Sequence, residues 1–345
     1  MQARRGFASD NSATVHPSVL EAISAANRGH AFGYGHDEYT REVQERVAAE
    51  FGAGARALFV FNGSGANVLC LRAACRPWQA VICAATSHIN VDECGAAEAL
   101  AGIKLLSTPT PDGKLTPGLV EGLIARVGDE HAVQPGVVSL TQATELGTVY
   151  TADETREISA LAHERGMLVH LDGARLANAA AALDVPLSAL TADAGVDIVS
   201  FGGTKNGLLG AEAVIVLNET LAEGFEYLRK QTLQLASKMR FLAAQFDALM
   251  RDQLWRVNAT SANSTAARLA AAVDGAPGLR ITRPVQTNAV FATLPAAAGA
   301  ALHERFDFYP WDESIGELRW MCSWDTTEDD VDVFAAAIRD VLRAD

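Results

Sequence analysis

A lysine and an aspartate, each placed just after a short apolar run, are the residues of this sequence best suited to chemistry. Lys205 follows Val199–Phe201 and two glycines, and Asp172 follows Met167–Leu171. Ligands in open α/β sheets bind outside the carboxyl ends of the strands, which is where both side chains would lie. A lysine at this position could form a Schiff base with a ligand, or it could be an exposed lysine in a turn. An aspartate at this position could face a nitrogen of a ligand, or it could cap the next helix.

Together, Lys205 and Asp172 predict a pyridoxal-type pocket, because each closes a strand. A pyridoxal cofactor needs a lysine for its Schiff base. It also needs a carboxylate that keeps the pyridine nitrogen protonated, so that the ring accepts the electrons of a carbanion. Lys230 and Lys238 lie on a charged, helix-like segment and are interpreted as structural.

A glycine-rich turn is the candidate for holding a phosphate. Gly63, Ser64 and Gly65 follow the apolar run Ala57–Phe61 and open a helical stretch. Free N–H groups at a helix N-terminus bind phosphate, and Thr204 could add a hydroxyl. Neither a P-loop nor a dinucleotide fingerprint occurs. Since strand–glycine–helix turns are common, the pattern alone is equally consistent with an ordinary turn.

Three further side chains could bind ligand groups or move protons. His88 lies just past an apolar run, where its imidazole could stack on a ring, transfer a proton or simply hold a loop. Arg319 lies among apolar residues of a strand-like segment. Its guanidinium fits a carboxylate, whether of a substrate or of a salt bridge within its own domain. Arg175 is another candidate for binding an anionic group.

The elements that must position these residues alternate along the chain. Seven apolar runs without clean alternation predict strands that are buried on both faces: Ala57–Phe61, Ala80–Ala84, Ile103–Leu106, Val137–Thr141, Met167–Leu171, Asp197–Phe201 and Ala213–Leu217. Helical patterns fill most gaps: Glu42–Phe51, Gly65–Ala74, Asp92–Ala99, Gly118–Arg126, Asp153–Arg165 and Arg175–Leu183. This order predicts an α/β fold with a mainly parallel, doubly wound sheet.

One strand of this sheet is expected to run antiparallel. Only the segment from Gly202 to Glu212 separates two strand candidates. A parallel crossover needs about a dozen residues or more, so the strand Ala213–Leu217 should be reversed.

After Asn218 the pattern changes and predicts a second, smaller unit. The predicted elements are a long helix (Leu221–Met250), a helix (Ser264–Val273), a strand (Ala289–Thr293), a helix (Ala296–Phe306), a strand (Leu318–Trp324) and a terminal helix. The terminal helix opens at Thr326-Thr327-Glu328-Asp329, a capping-box pattern. We therefore predict a large α/β domain over residues 1–244 and a small α+β domain over residues 245–345.

Composition narrows the partners and the compartment. A net charge of −14 at pH 7 disfavours nucleic acid as a partner. Five cysteines without a C-x-x-C pattern favour a reducing compartment, and no metal site is expected. The N-terminal arginines precede polar residues, so no signal peptide is predicted. No apolar run reaches the ~18 residues that span a bilayer. A cytoplasmic enzyme for a small molecule is the expectation.

In order along the chain, the quoted residues resemble one family. The motifs are Ser9-Asp10-Asn11, Tyr34-Gly35-His36-Asp37, Asn62-Gly63-Ser64-Gly65-Ala66-Asn67, His88, Asp172-Gly173-Ala174-Arg175, Phe201-Gly202-Gly203-Thr204-Lys205-Asn206 and Arg319-Trp320-Met321-Cys322-Ser323-Trp324. From about residue 7 to residue 325 the chain is similar to the low-specificity L-threonine aldolases. These are fold-type-I pyridoxal-phosphate enzymes of the β-eliminating-lyase-like group.

The resemblance implies a role for each candidate residue. Lys205 would carry the Schiff base and Asp172 would pair with the pyridine nitrogen. The phosphate would be held by Gly63, Ser64 and Gly65, with Thr204 beside them, and His88 would stack on the ring. The substrate carboxylate would be bound by Ser9, Arg175 and Arg319. The family forms tetramers built as pairs of dimers, so Tyr34 and Asp37 would reach a neighbouring subunit's site.

The resemblance also implies the reaction. The chain would be a carbon–carbon lyase (an aldehyde-lyase) that splits L-threonine, L-allo-threonine and related β-hydroxy-α-amino acids into glycine and an aldehyde. Alternatives are a phenylserine aldolase, a β-eliminating lyase, an aminotransferase, a serine hydroxymethyltransferase-like enzyme or a ligand-binding protein on the same scaffold. His36 and Thr144 stand where many members carry an acid and a histidine. The base for the hydroxyl proton therefore stays open, with His88 as first choice.

Overall fold

A seven-stranded sheet forms the centre of the computed structural model, which describes residues 6–344. Its strands are β1 (Arg56–Val60), β2 (Gln79–Ala84), β3 (Lys104–Thr108), β4 (Gln134–Thr141), β5 (Leu168–Gly173), β6 (Ile198–Gly202) and β7 (Glu212–Val216). Their order is β1-β7-β6-β5-β4-β2-β3. All neighbours from β3 to β6 are parallel, whereas β7 is antiparallel to β6 and to β1. The predicted strands and the reversed strand are confirmed.

Apolar residues cover both faces of this sheet, which is why its strands read as nearly continuous hydrophobic runs. On β1, Phe59 packs into one core cluster and its neighbours Leu58 and Val60 pack into the other. The helices around the sheet are α1 (Pro17–Ala26), α2 (Glu38–Ala49), α3 (Gly63–Ala74), α4 (His88–Val91), α5 (Pro117–Leu123), α6 (Ala152–Glu164), α7 (Leu176–Leu183), α8 (Phe225–Gln231) and α9 (Arg240–Met250).

Two of the predicted helices are wrong. The long helix Leu221–Met250 is divided into α8 and α9, with Leu233 between them at a φ of 63°. The division lets the Gln234 side chain accept a hydrogen bond from the backbone N–H of Phe61 at 3.0 Å. A tertiary contact thus overrides local helix propensity. The helix Asp92–Ala99 is also not formed, because Cys94 and Gly95 both adopt positive φ and turn the chain before a short π-helix at Ala97–Ala101.

The last third of the chain builds a second sheet. It contains β8 (Arg280–Ile281), β9 (Ala289–Thr293), β10 (Tyr309–Asp312) and β11 (Glu317–Met321), in the antiparallel order β10-β11-β9-β8. Helices α10 (Leu254–Val273), α11 (Ala296–His303) and α12 (Glu328–Ala344) accompany it. The predicted strands in this part correspond to β9 and β11, and the helix predicted over Ser264–Val273 begins earlier, at Leu254.

The N-terminal segment joins this second unit. Phe7 stacks on Phe334 with ring centroids 4.1 Å apart, and the Met321 N–H donates to the Phe7 carbonyl at 2.8 Å. The capping box of α12 is formed by Thr327 and Asp330, each of which binds the other's backbone N–H. The boundary between residues 244 and 245 lies inside α9, so the division into domains stays a prediction. The signal-peptide prediction rests on residues 1–5, outside the described residues.

Within residues 6–344, no helix is long and apolar enough to cross a membrane.

Candidate active site

Two adjoining cavities open at the carboxyl ends of the parallel strands. The smaller one has a volume of about 320 Å³, and its lining includes Asn62, Gly63, Ser64, His88, Asp172, Thr204, Lys205 and Glu212. The larger one, of about 1010 Å³, shares Asn11, His88 and Lys205 with it and adds Ser9, Glu145, Arg175 and Arg319. The fold therefore brings together most of the residues singled out in the sequence.

Asp172 is a buried carboxylate with two fixed hydrogen bonds. It lies near the end of β5, opposite Thr141 of β4 and Ser200 of β6. Its Oδ1 accepts from the backbone N–H of Ala174 at 3.0 Å, and its Oδ2 accepts from the amide of Asn67 at 2.9 Å. The first bond closes a turn ahead of α7 and does not cap that helix, whose N-cap residue is Arg175, so the alternative that Asp172 caps the next helix is wrong. The Asp172 carboxyl is 3% exposed and lies at the wall of the smaller cavity.

Behind Asp172 runs a chain of polar side chains that the sequence pattern did not reveal. The Asn67 amide accepts from Ser200 Oγ at 2.6 Å and also donates to Glu93 Oε1 at 2.9 Å. That same Glu93 oxygen lies 2.9 Å from His88 Nδ1. The hydrogen bond from Glu93 raises the pKa of His88 above its ordinary value. A polar residue on the buried face of α3 was the available signal for Asn67.

Lys205 follows β6 in a short 3₁₀ turn, Thr204–Asn206. A Cβ on Gly202 would come within 2.5 Å of the Ala174 carbonyl oxygen, and one on Gly203 within 2.4 Å of Leu208. The two glycines thus permit close protein packing. The Gly203 N–H also donates to Glu212 at 2.8 Å, which fixes the turn. Burial, and after it the positive charge of Arg175, lowers the pKa of Lys205 and favours the neutral, nucleophilic amine.

The N-terminus of α3 meets the predicted phosphate site only in part. Gly63 and Ser64 line the smaller cavity, and a Cβ on Gly63 would meet no atom within 4 Å. Gly65, in contrast, is outside both cavity linings. Its N–H donates to Asn62 at 2.8 Å, and a Cβ there would overlap Gln234 at 2.2 Å. The Thr204 hydroxyl lies near Glu212 and favours the charged form of that carboxyl, whose pKa is nevertheless raised by burial.

Three arginines line the larger cavity, and they differ in their partners; Arg283 is paired with Glu317 at 2.9 Å. Arg175 forms a two-point ion pair with Asp10, with its Nε 2.7 Å and its NH2 2.9 Å from the carboxylate oxygens. This pair holds the pKa of Asp10 below its usual value although burial opposes it. Arg319 has no carboxylate partner among residues 6–344. Its NH2 donates to the Ala8 carbonyl at 3.3 Å and its guanidinium lies 4.6 Å from the ring centroid of Trp311.

An arginine without an anion is available to a ligand. The Nε of Arg319 is buried and makes no hydrogen bond within the described part of the chain. Burial, together with the repulsion of Arg175, lowers the pKa of Arg319 to about 10, still far above neutrality. The guanidinium stays charged and can bind a carboxylate. Ser9 lines the same cavity, with its hydroxyl accepting from the Asn11 N–H at 3.2 Å.

Tyr34 and Asp37 lie away from these two cavities in the same chain. Asp37 caps α2, accepting from the Thr40 N–H at 2.8 Å and from the Thr40 hydroxyl at 2.7 Å. Tyr34 adopts a φ of 61°, and the Lys230 ammonium lies 5.3 Å from its ring centroid. Their predicted contribution to a neighbouring subunit's site therefore stays a prediction.

The arrangement has the parts that a flat, phosphate-bearing cofactor needs. It offers an open helix N-terminus at Gly63, a buried carboxylate at Asp172, an amine at Lys205 and an imidazole at His88. Among residues 6–344, no group of three or more His, Cys, Asp or Glu side chains is arranged so that it could hold a metal ion.

Comparisons with known proteins agree with these features of the site. A family model described as beta-eliminating lyase matches residues 6–297. The chain is 44% identical over 342 residues to a low-specificity L-threonine aldolase of Pseudomonas aeruginosa, and 42% identical over 340 residues to another from a Pseudomonas species. In both pairs 98% of each chain is covered. A solved threonine aldolase from Leishmania major superposes with a TM-score of 0.92 at 32% identity, covering 97% of this chain and 99% of that one. The superposition confirms the fold that the resemblance implied.

Proposed function

Because this chain belongs to the β-eliminating lyase family, among the low-specificity L-threonine aldolases, we propose that it splits the Cα–Cβ bond of L-threonine, L-allo-threonine and related β-hydroxy-α-amino acids. The products are glycine and an aldehyde, which makes the chain a carbon–carbon lyase. The observation that carries the proposed site is the convergence of Lys205 and Asp172 on one cavity.

Pyridoxal 5′-phosphate is the cofactor that this set of residues fits. When bound, it supplies an electron-accepting ring that takes up the electron pair of the broken Cα–Cβ bond. Lys205 would anchor it through the amine, and Asp172 would hold a proton on the pyridine nitrogen. Gly63 and Ser64 would bind its phosphate at the N-terminus of α3, and His88 would stack on the ring.

The larger cavity then serves the amino-acid substrate. Arg319 binds the α-carboxylate, since its charge is unmatched, and Ser9 supports it. Arg175 contributes mainly by fixing Asp10, and its charge, after burial, lowers the pKa of the Lys205 amine. Pinning the carboxylate selects which bond at Cα stands in the reactive orientation. We further propose a cytoplasmic homotetramer, a dimer of dimers, in which Tyr34 and Asp37 reach the neighbouring site.

Incubation of the purified protein with threonine, allo-threonine and phenylserine tests the function. We expect an aldehyde and glycine in equal amounts from threonine or allo-threonine, which are diastereomers of each other, and from at least one diastereomer of phenylserine. The matched measurement is the formation of α-keto acids and ammonia from the same amino acids. Keto-acid formation without aldehyde would replace the aldolase by an aminotransferase or a β-eliminating lyase.

Replacing Arg319 by glutamine should weaken substrate binding without unfolding the protein. A charge-assisted hydrogen-bond pair is lost, so the Kd for glycine should rise about 100-fold. The melting temperature should stay constant or rise, because the deleted cation has no carboxylate partner within residues 6–344. Glycine titration and thermal unfolding measure the two quantities.

Arg175→Gln is the matched comparison. This change leaves the buried Asp10 carboxylate, which is 1% exposed, without its cationic partner. It should lower the free energy of unfolding by about 3 kcal/mol or more. If both variants lost stability equally, or if Arg319→Gln bound glycine normally, Arg319 would not be the carboxylate ligand.

A further inference from the structure

Glu145 lies in the turn after β4 and lines the larger cavity together with Lys205 and Arg319. Its neighbour Thr144, which occupies the position where many relatives were expected to carry a histidine, does not line that cavity. The Thr144 hydroxyl lies 2.6 Å from the Thr148 hydroxyl, and the Thr148 hydroxyl donates to the Asp112 carbonyl at 2.6 Å. The group presented to the cavity from this turn is therefore a carboxyl.

The two oxygens of Glu145 have different surroundings. Oε1 accepts from the backbone N–H of His88 at 2.7 Å, which fixes the carboxyl. Oε2 is buried and forms no hydrogen bond with any described residue, although the Thr141 hydroxyl nearby favours the charged form. A buried acceptor without a donor is costly, and a substrate hydroxyl would supply the missing donor.

His88, the other candidate base, is less well suited to take a proton. Its Nδ1 lies 2.9 Å from Glu93 Oε1, so this nitrogen already has a partner in the protein, and the hydrogen bond raises the pKa of the imidazole above its ordinary value. Burial, and after it the negative charge of Asp172, raises the pKa of Glu145 to about 7. The other titratable or charged groups that interact with this carboxyl are Cys83, Tyr150 and Arg175. A pKa near the working pH is what an efficient base has.

We propose that Glu145 is the base that takes the β-hydroxyl proton from the substrate, an inference that rests on the proposed aldolase function. The hydroxyl proton moves to Oε2 of Glu145. The C–O bond of the substrate becomes the C=O of the aldehyde, and the Cα–Cβ bond breaks with its electron pair left at Cα. Cα takes up one proton, for which the Lys205 amine is the proposed donor, and Glu145 returns the hydroxyl proton to solvent, so that no proton is gained or lost in the whole reaction.

Glu145→Gln should separate C–C cleavage from the steps that need no β-hydroxyl. We expect kcat for aldehyde release to fall about 1000-fold, within the usual range for a positioned proton-transfer group. The Kd for glycine and the exchange of its α-proton in D₂O should change by less than about threefold, since glycine carries no hydroxyl. Glu164→Gln, an exposed change on α6, is the matched control and should leave all three quantities unchanged.

The pH profile distinguishes Glu145 from His88. In the wild-type protein kcat/KM should rise as pH rises through about 7, because the carboxyl must be ionised to accept the proton. The rise should disappear in Glu145→Gln and persist in His88→Asn. A rise that persists in the first variant and disappears in the second would assign the base to His88.

Thermal unfolding gives a readout that is independent of turnover. A carboxyl whose pKa is raised by folding destabilises the folded state progressively as pH rises from about 4.3, the unfolded value, to about 7. The melting temperature of Glu145→Gln minus that of the wild type should therefore increase as pH rises between these two values. A constant difference would contradict the environment described for Oε2.

The possible failures are distinguishable. Wild-type protein that exchanges the glycine α-proton but releases no aldehyde would overturn the proposed function itself. Full aldehyde release by Glu145→Gln would overturn only the role of Glu145.

Discussion

Lys205→Ala should abolish aldehyde release, with a fall in kcat of about 10⁴-fold or more, at or beyond the upper end of what one proton-transfer group contributes. The loss is large because Lys205 has two tasks. In the proposed site its amine would anchor the cofactor covalently, and the same group would move protons at the adjoining Cα. The measurements are the rate of aldehyde release and the visible absorbance of the bound cofactor, both of which should be lost or displaced.

The loss of aldehyde release in Lys205→Ala should not be caused by unfolding of the protein. Burial and Arg175 already disfavour the charged ammonium, so removing it should leave the melting temperature unchanged or higher. Lys104→Ala is the matched control, since Lys104 is exposed at the start of the edge strand β3. Wild-type absorbance and turnover in Lys205→Ala would remove the basis of the proposed site.

The central sheet was predictable because its strands are buried on both faces. Burial selects Val, Ile, Leu and Phe at consecutive positions, and this composition is visible without any knowledge of neighbours. The reversed strand β7 followed from chain length alone, since the connection after Gly202 is too short for a crossover. Placing Lys205 and Asp172 together needed only the rule that parallel strands end at the same edge.

The errors arose where contacts between distant segments decide the conformation. The break at Leu233 serves a hydrogen bond between Gln234 and Phe61, which are far apart in the sequence. Local propensity carries no information about such a contact. The ion pair of Arg175 with Asp10 likewise depends on a distant segment, and the sequence showed Asp10 only as part of a polar N-terminal motif. The predicted role of Arg175 in binding the substrate carboxylate stays a prediction.

The supporting groups of the site were missed for a related reason. Asn67, Glu93 and Glu145 lie several residues after the ends of β1, β2 and β4, in segments where polar residues are common. Their role depends on burial, as the unpartnered Oε2 of Glu145 illustrates. The glycines before Lys205 were noticed, but they accommodate Ala174 and Leu208 in the folded chain.

Asp172→Asn should lower kcat by about 10³-fold, the upper end of the effect of removing one preorganised electrostatic group. The carboxylate holds a proton on the pyridine nitrogen in the proposed arrangement, and a neutral amide cannot balance that positive charge. The ring then accepts electrons less readily. Binding of glycine should change much less than kcat, because glycine is held by Arg319 at the other end of the site.

Asp197→Asn provides the matched control, at the residue immediately before the neighbouring strand β6. Asp197 is 6% exposed, and its carboxylate accepts from the Val169 N–H at 2.7 Å and from the Asn218 amide at 2.8 Å, with His163 Nε2 2.9 Å away. These contacts join β5 to β6, so the change should lower the melting temperature and leave the cofactor absorbance and kcat as in the wild type. Asp172→Asn keeps an acceptor for only one of its two donors, Ala174 N–H or the Asn67 amide, so its melting temperature should also fall, but its main effect should be the loss of kcat and an altered cofactor absorbance, which Asp197→Asn should not show. If the two variants behaved alike, Asp172 would be a structural carboxylate, and the electron-accepting chemistry would lack its partner on the protein.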